Sequence, residues 1–276
     1  MCGMIRVITW NVNSIRKRIE HLCSVLSEHS IDVAMLQEIK CTNEQFPFVE
    51  LEALGYKCYV HGQKSRNGVA IISKLPVVEV VSYSVLDEGK ELESAGSYSS
   101  EESRYIECTL ECTGNKKIRV VSVYVPNGQE VESETFFYKL KFLEHLKDRL
   151  LNIMKTEDFL IAGGDFNVAP EEIDVHDPKA LDGRLCFHIL ERAKFREILN
   201  NGIVDIFRTF VGIDRKEFSW WNYREGGWQN NRGLRIDALL SSPQIADKVL
   251  DCSILSKVRG WDTPSDHAPV MGDIDV

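Results

Sequence analysis

The chain has 276 residues, 43% hydrophobic and 27% charged, a composition that excludes wholesale disorder. No apolar run nears the ~18–20 residues of a membrane span and residues 1–10 lack signal-peptide character, so a cytoplasmic protein with no membrane contact is expected. Thirty-three basic against forty-two acidic residues leave a net charge of −9, which excludes a coat on nucleic acid held by bulk positive charge but permits a local basic groove.

Residues 4–10 alternate like a half-buried strand, and Ser14 stands where it would cap a helix carrying Ile15, Ile19, Leu22, Val25 and Leu26 on one face. Residues 31–36 form a short apolar run ending at Gln37-Glu38, which completes a strand–helix–strand unit. Strand-like runs then follow at Lys57–His61, Val69–Ser73, 77–83, 104–112 and Lys117–Tyr124, with Gly114-Asn115 as a hairpin turn. The Ser/Glu-rich stretch 86–103 reads as a peripheral exposed loop. A helix over 132–155 presents Phe136, Leu140, Leu143, Leu146, Leu150 and Ile153. After it come a buried strand at 159–164, a helix over 185–200, and strands near 234–240 and 268–274. Repeats and long Pro/Gly/Ser linkers are lacking, so residues 1–276 are expected to form one domain, two stacked sheets with helices outside. The eight cysteines are scattered without a C-x-x-C pair and read as reduced, core-filling thiols; Cys108 and Cys112 share a strand face.

Several apolar runs stop abruptly at polar residues: at Asn11, at Glu38, at Tyr124 and Asn127, at Asp165 and Asn167, at Asp237, and at Asp266-His267. Strand ends on a rigid sheet can hold a constellation of side chains. If these ends converge, four carboxylates (Glu38, Asp165, Asp237, Asp266) lie close together and need a counter-charge. A bound cation supplies it, and oxygen ligands select Mg²⁺ or Mn²⁺ over Zn²⁺. Singly, each residue has a plainer reading. Glu38 could be a solvated strand end, Asp165-x-Asn167 an Asx turn, Tyr124 a buried aromatic, and His267 a hydrogen-bonded core histidine. Asp237 within Ile-Asp-Ala-Leu-Leu resists dismissal, because a buried unpaired Asp is costly and an imidazole is a natural partner.

Read as phrases, the chain resembles the exonuclease III family of apurinic/apyrimidinic (AP) endonucleases. The matching text is Thr9-Trp-Asn-Val-Asn-Ser-Ile-Arg16, Leu36-Gln-Glu-Ile-Lys40, Asn67-Gly-Val-Ala-Ile-Ile-Ser-Lys74, Tyr124-Val-Pro-Asn-Gly128, Gly164-Asp-Phe-Asn-Val-Ala-Pro170, Ile173-Asp-Val-His-Asp-Pro178, Asn231-Arg-Gly-Leu-Arg-Ile-Asp237 and Ser265-Asp-His-Ala-Pro269. The seventh phrase is similar to bacterial members more than to animal ones. The resemblance implies a four-layer α/β sandwich of two mixed sheets flanked by helices, with the site at one end. It implies Mg²⁺ held chiefly by Glu38, with Asn11 beside it and Asp266 near or on the metal, in a ligand set that extends to Asp165, Asn167 and His267. Asp165 would activate or orient water, Asn167 would hold that geometry, Tyr124 and Asn127 would contact the scissile phosphate, and His267, held by Asp237, would stabilise charge. Asp266 and His267 are neighbours that point apart on a strand, which leaves Asp237 free to serve the His.

The implied partner is double-stranded DNA with abasic sites or 3′-blocked ends, bound by a monomer. Given the overall −9, phosphate contacts must be local: Arg16-Lys17-Arg18, Lys64 and Arg66, and the arginines from Arg224 to Arg235. By position in the family pattern, Trp220, Leu234 and Ile236 would line a pocket for a flipped abasic sugar, while Arg224 and Trp228 would sit on a loop pushing into the duplex. Two other readings stay open: a phosphodiesterase of the same fold acting on lipid or inositol phosphates, and a catalytically idle nucleic-acid-binding regulator.

Overall fold

Short β-branched and aliphatic runs pair into two sheets in the computed structural model, which describes residues 3–82, 102–112, 116–156 and 159–276. In chain order the elements are β1 (Met4–Asn11), α1 (Ile15–Glu28), β2 (Val33–Gln37), α2 (Phe48–Glu52), β3 (Lys57–His61), β4 (Val69–Ser73), β5 (Val77–Ser82), β6 (Tyr105–Glu111) and β7 (Lys117–Tyr124). There follow α3 (Glu134–Thr156), β8 (Leu160–Asp165), α4 (Pro178–Leu181), α5 (Ile189–Asn200), β9 (Val204–Asp205), α6 (Ile206–Val211) and β10 (Trp220–Trp221). The last are β11 (Gly233–Leu234), β12 (Asp237–Ser241), α7 (Pro243–Ala246), β13 (Val249–Ile254) and β14 (Val270–Asp275).

Among the described residues the order is β13-β14-β1-β2-β4-β3 in one six-stranded sheet and β5-β6-β7-β8-β12-β9 in the other, with β10-β11 as a separate pair. Each large sheet carries one parallel pair, β1 with β2 and β7 with β8, joined through a helix; the remaining pairings are antiparallel. Val7, Met35, Val69 and Ile71 from the first sheet meet Cys108, Leu110, Val120, Ile161 and Leu239 from the second in a central core. Outside, α1 packs Leu22, Val25 and Leu26 against Ile8, Ala34 and Leu36. On the opposite side, Leu143, Leu146 and Leu150 of α3 and Phe195 and Ile198 of α5 cover Val121, Val123 and Ala162. The result is the expected four-layer α/β sandwich, because each face of each sheet has an apolar partner. The sheets approach closely at Gly163, where a Cβ would lie 2.8 Å from the Thr9 Cβ and 2.7 Å from the Met35 Sδ.

Several sequence expectations need correction. Ser14 makes no side-chain cap and has a φ of 89°; its N–H instead donates to the Glu38 carbonyl at 2.7 Å, so α1 starts hung from the loop after β2. In α3 the inner face takes Lys139 and Phe142 rather than Leu140, which is only half-buried. The helix expected over 185–200 begins at Ile189, where the His188 imidazole accepts from the Leu190 N–H at 3.2 Å. The run 234–240 splits into β11 and β12 around Arg235, whose side chain turns into a buried ion cluster. Strand β13, with Leu250 and Asp251 exposed, was not anticipated. The seven cysteines among the described residues are free, and Cys108 and Cys112 both enter the central core. The Gly-Asn turn at 114–115 and most of 86–103 lie outside the described residues. Among the described residues no helix is long and apolar enough to cross a membrane.

Candidate active site

Register builds the site. Tyr124 of β7 pairs with Asp165 of β8, and Asp165 pairs with Asp237 of β12, so three polar side chains end one row across the second sheet. Parallel pairing of β1 with β2 puts Asn11 opposite Gln37 and delivers Glu38 to the same pole from the first sheet. Asp266 and His267 arrive on the segment entering β14. The two sheets are stitched there by Asn11, whose Nδ2 donates to Glu38 Oε1 at 2.8 Å and to Asp165 Oδ2 at 2.9 Å. Ser265 donates to the Asn11 carbonyl at 2.7 Å and accepts from the His267 N–H at 3.2 Å. The Trp10 indole donates to the His267 carbonyl at 3.1 Å.

A line of charge crosses this pole. His267 Nδ1 lies 2.8 Å from Asp237 Oδ2, and its Nε2 lies 3.7 Å from Asp165 Oδ2. The backbone N–H groups of Ile236 and Asp237 both donate to Ser219 Oγ, which fixes the base of β12. Asp237 Oδ1 is buried without a hydrogen-bond partner among the described residues. The Asx turn at Asp165 does form: Asn167 N–H donates to Asp165 Oδ1 at 2.9 Å, leaving Oδ2 directed at Asn11 and His267. Asn167, at a φ of 51°, donates its amide to the Val125 carbonyl at 2.9 Å and accepts from Asn127 Nδ2 at 3.0 Å. Asn127 is exposed, so the end of this chain of bonds faces solvent.

Burial and crowding set the protonation states. Burial first, and then the Asp237 and Glu38 charges, push Asp165 up to about 7, against the pull of His267. For His267 burial works downward, but Asp237 and Asp165 outweigh it and raise the imidazolium to about 10. Burial likewise opposes ionisation of Glu38, yet Lys40, whose Nζ is 2.6 Å from Oε2, and Asn11 hold it below the usual range. Tyr124 is driven well above the ordinary phenol by burial and by the Glu38 and Asp165 charges, so it stays a hydrogen-bond donor, and it bonds Glu38. The Arg104 guanidinium lies 4.8 Å over its ring.

Glu38, Asp165 and His267 each offer a ligand atom, all within 4.8 Å of one another, and could hold a metal ion. The fit is chemical as well as geometric. Burial, with the Asp237 and Glu38 charges, suppresses the ionisation of Asp165, and a hard cation between Asp165 and Glu38 would relieve that repulsion. Other residues of the expected ligand set are engaged elsewhere. The Asp266 oxygens accept from Asn13 Nδ2 at 2.9 Å and from Trp220 Nε1 at 3.0 Å, and the Asn167 amide is used by Val125 and Asn127. Asn11 serves as the bridge between Glu38 and Asp165.

Of the expected DNA-facing residues, Trp220, Arg224 and Leu234 line one cavity of about 260 Å³ with His176 and Arg232. Ile236 lies behind it in an apolar cluster with Val175, Phe187 and Leu234. Arg224 is exposed. Trp228 is half-buried instead, packed edge-on at 4.8 Å against Trp221 on the margin of the core. Arg235 corrects the reading of the basic run. It is buried, 2.7 Å from Asp174 and 2.9 Å from Asp205, and cannot meet a phosphate. Arg18 is also committed, donating to the Asn13 and Pro264 carbonyls at 2.7 and 2.9 Å. A second cavity of about 450 Å³, unanticipated, adjoins Tyr124 and Asn127 and is lined by Arg66, Arg104 and Tyr138. The roles of Ser219, Ser265 and Lys40 also escaped sequence reading, although Ser265 and Lys40 stand inside the matching phrases.

This fold and this pole define a phosphodiester-cleaving class of α/β enzymes, and comparison with known proteins agrees. The model of the endonuclease/exonuclease/phosphatase family matches residues 8–267. Exodeoxyribonuclease III of Haemophilus influenzae is 31% identical over 98% of this chain and 99% of its own length. An exodeoxyribonuclease of Bacillus subtilis is 32% identical over 96% and 98%. Among solved structures, an AP endonuclease from Archaeoglobus fulgidus superposes with a TM-score of 0.86 at 35% identity, covering 99% of this chain and all (100%) of that one. A 3′ phosphatase from Neisseria bound to a product DNA hairpin gives 0.87 at 31% identity with the same coverage. The chain belongs to the endonuclease/exonuclease/phosphatase family, on its exodeoxyribonuclease III and AP endonuclease side, and is a hydrolytic nuclease.

Proposed function

We propose that the protein is a DNA-repair phosphodiesterase that cleaves the backbone 5′ to abasic sites, with 3′→5′ exonuclease and 3′-phosphodiesterase action as companion activities in base excision repair. One catalytic domain over residues 1–276 would carry the reaction on double-stranded DNA as a monomer. The observation that carries this reading is the aligned set Asp237, His267 and Asp165, reached by Glu38 from the other sheet.

Hydrolysis breaks the P–O3′ bond. Water adds its oxygen to phosphorus, the upstream strand leaves with a 3′ hydroxyl, and the 5′ phosphate stays on the abasic sugar. Asp165, which ionises near neutral pH and is oriented by Asn11 and Asn167, is the group suited to take the water's proton. His267, kept cationic by Asp237 and Asp165, faces the negative charge that builds on the phosphoryl oxygens. Tyr124 and Asn127 add neutral donors beside it. Mg²⁺, or Mn²⁺ in its place, held by Glu38 with Asp165, would supply further neutralisation of phosphate and leaving oxygen, while the protonated His267 stays off the metal. The cavity of about 260 Å³ bounded by Trp220, Leu234 and Arg224 suits a flipped abasic sugar. A pocket with so apolar a floor selects lesions without reading sequence.

The test is nicking of a duplex with one synthetic abasic site. Cleavage 5′ to the lesion with Mg²⁺, and arrest by EDTA, is the expected result. Equal nicking in excess EDTA, or cleavage with no preference for the lesion, would sink the reading.

A further inference from the structure

Lys139 is a cation with no exposed surface, and its ion-pair partner Glu191 is equally enclosed. All three ammonium protons are placed: one meets Glu191 Oε1, one the Asn167 carbonyl at 2.6 Å, and one the Asn127 carbonyl at 3.1 Å. Both carbonyls belong to asparagines of the candidate site. They lie on different segments, one leaving β7 and one leaving β8. Beyond the ammonium the same two residues bond again, Asn127 Nδ2 to Asn167 Oδ1 at 3.0 Å, and the Asn167 N–H reaches Asp165. Space around the stem is closed too, since a Cβ added to Gly128 would lie 3.2 Å from Lys139 Cδ. Glu191 is itself anchored, its other oxygen accepting from the His188 N–H at 3.0 Å where α5 begins.

We propose that Lys139, neutralised by Glu191, is a positioning residue that clamps the backbones of Asn127 and Asn167 together, and so sets both the phosphate-facing amide and the orientation of the Asp165 carboxylate. Removing two opposite charges from water gives such a pair little net stability. Its effect is therefore on placement: three fixed donors join one helix to two loops. A site held this way works by preorganisation, where a misplacement of an ångström slows the chemical step without weakening ground-state binding. The claim rests on the proposed cleavage reaction only for its kinetic readout.

The experiment uses the full chain and a duplex bearing a synthetic abasic site, with Mg²⁺, well below each variant's melting temperature. Lys139→Met/Glu191→Gln removes both charges at near-constant volume. Its kcat is expected to fall about thirtyfold with KM within threefold, and Lys139→Arg, keeping charge and donors, to run faster than the double variant. Amide hydrogen exchange at Asn167 is expected to quicken at least tenfold in the double variant. That second readout holds whether or not the wild type cleaves abasic DNA, so an inactive wild type counts against the proposed function alone. A folded double variant with wild-type kcat, or with unchanged exchange at Asn167, overturns the clamp. If the double variant does not fold, Lys139→Leu/Glu191→Gln, which also leaves no buried charge unpaired, takes its place in both measurements, and a wild-type kcat or unchanged exchange at Asn167 in that variant overturns the clamp equally.

Discussion

The row Tyr124–Asp165–Asp237 and the segment 218–232 sit side by side but are built on opposite plans. In the row, side chains stand on adjacent strands in fixed register, Asp165 and Asp237 are buried, and nearly every polar atom has a partner. In the segment, the two-residue β10 is the one strand, paired with β11 just beyond it, and Asn222, Tyr223, Arg224 and Glu225 lie exposed. Rigid strands hold reacting groups, while a turn offers surface that can meet a duplex. Damage to the row should therefore appear in kcat, and damage to the segment in KM or in lesion preference.

The largest effects belong to the row and to His267, which its aspartates hold. His267→Ala and Asp165→Asn are each expected to lose at least about a hundredfold in turnover while still binding abasic duplex; a near-wild-type rate in either, measured under single-turnover conditions, would mean that chemistry lies elsewhere. Asp237→Asn keeps the shape but removes the charge that holds His267 cationic, and a loss of about thirtyfold is expected. A smaller loss than for the exposed Asn127→Ala would break the ordering between buried and exposed members.

The same pair makes a prediction about pH. The folded imidazole of His267 is raised to about 10, against ~6.5 in an unfolded chain. A raised pKa contributes stability that is fully present below the unfolded value and is lost as pH rises through the folded one. In chelated protein, the margin in melting temperature of wild type over His267→Gln should shrink steadily between these two values. A margin that grows with pH would show that His267 is neutral in the fold.

Arg235 and Lys139 mark where the sequence stopped being legible. Strand runs were readable because their alternation and length are local properties, and the bounds of β3, β4 and β7 came out as expected. The pairing of Asp237 with His267 was readable because a buried carboxylate needs a partner, and the place of Asp165 beside them came from the family phrases. Arg235 and Lys139 were not. A charged residue within an apolar pattern reads as surface, and only tertiary pairing, here Asp174 and Asp205 or Glu191, brings it inside. The partners lie on separate elements, so spacing along the chain carries no trace of them. The packing of Trp228 on Trp221 was hidden for the same reason: a Trp beside glycines and arginines looks like a probe for DNA, and nothing in the spacing shows that one face of its ring has a mate.

Arg224 and Arg235 also give the smallest and sharpest contrast. Arg235→Ala leaves Asp174 and Asp205 without their shared cation in a closed interior, and breaking such pairs costs about 3–5 kcal/mol. Its effect should fall on the denaturant midpoint, with kcat per folded molecule nearly unchanged. Arg224→Ala removes an exposed guanidinium at the rim of the cavity with Trp220 and Leu234, so stability should hold to within about 0.5 kcal/mol. A contact with a phosphate contributes mainly electrostatic attraction, which salt weakens. KM for abasic duplex should thus rise about threefold to tenfold at low salt, and the difference from wild type should narrow as salt increases. A KM ratio that does not respond to salt would remove Arg224 from the DNA surface and leave the segment's role to its aromatic residues.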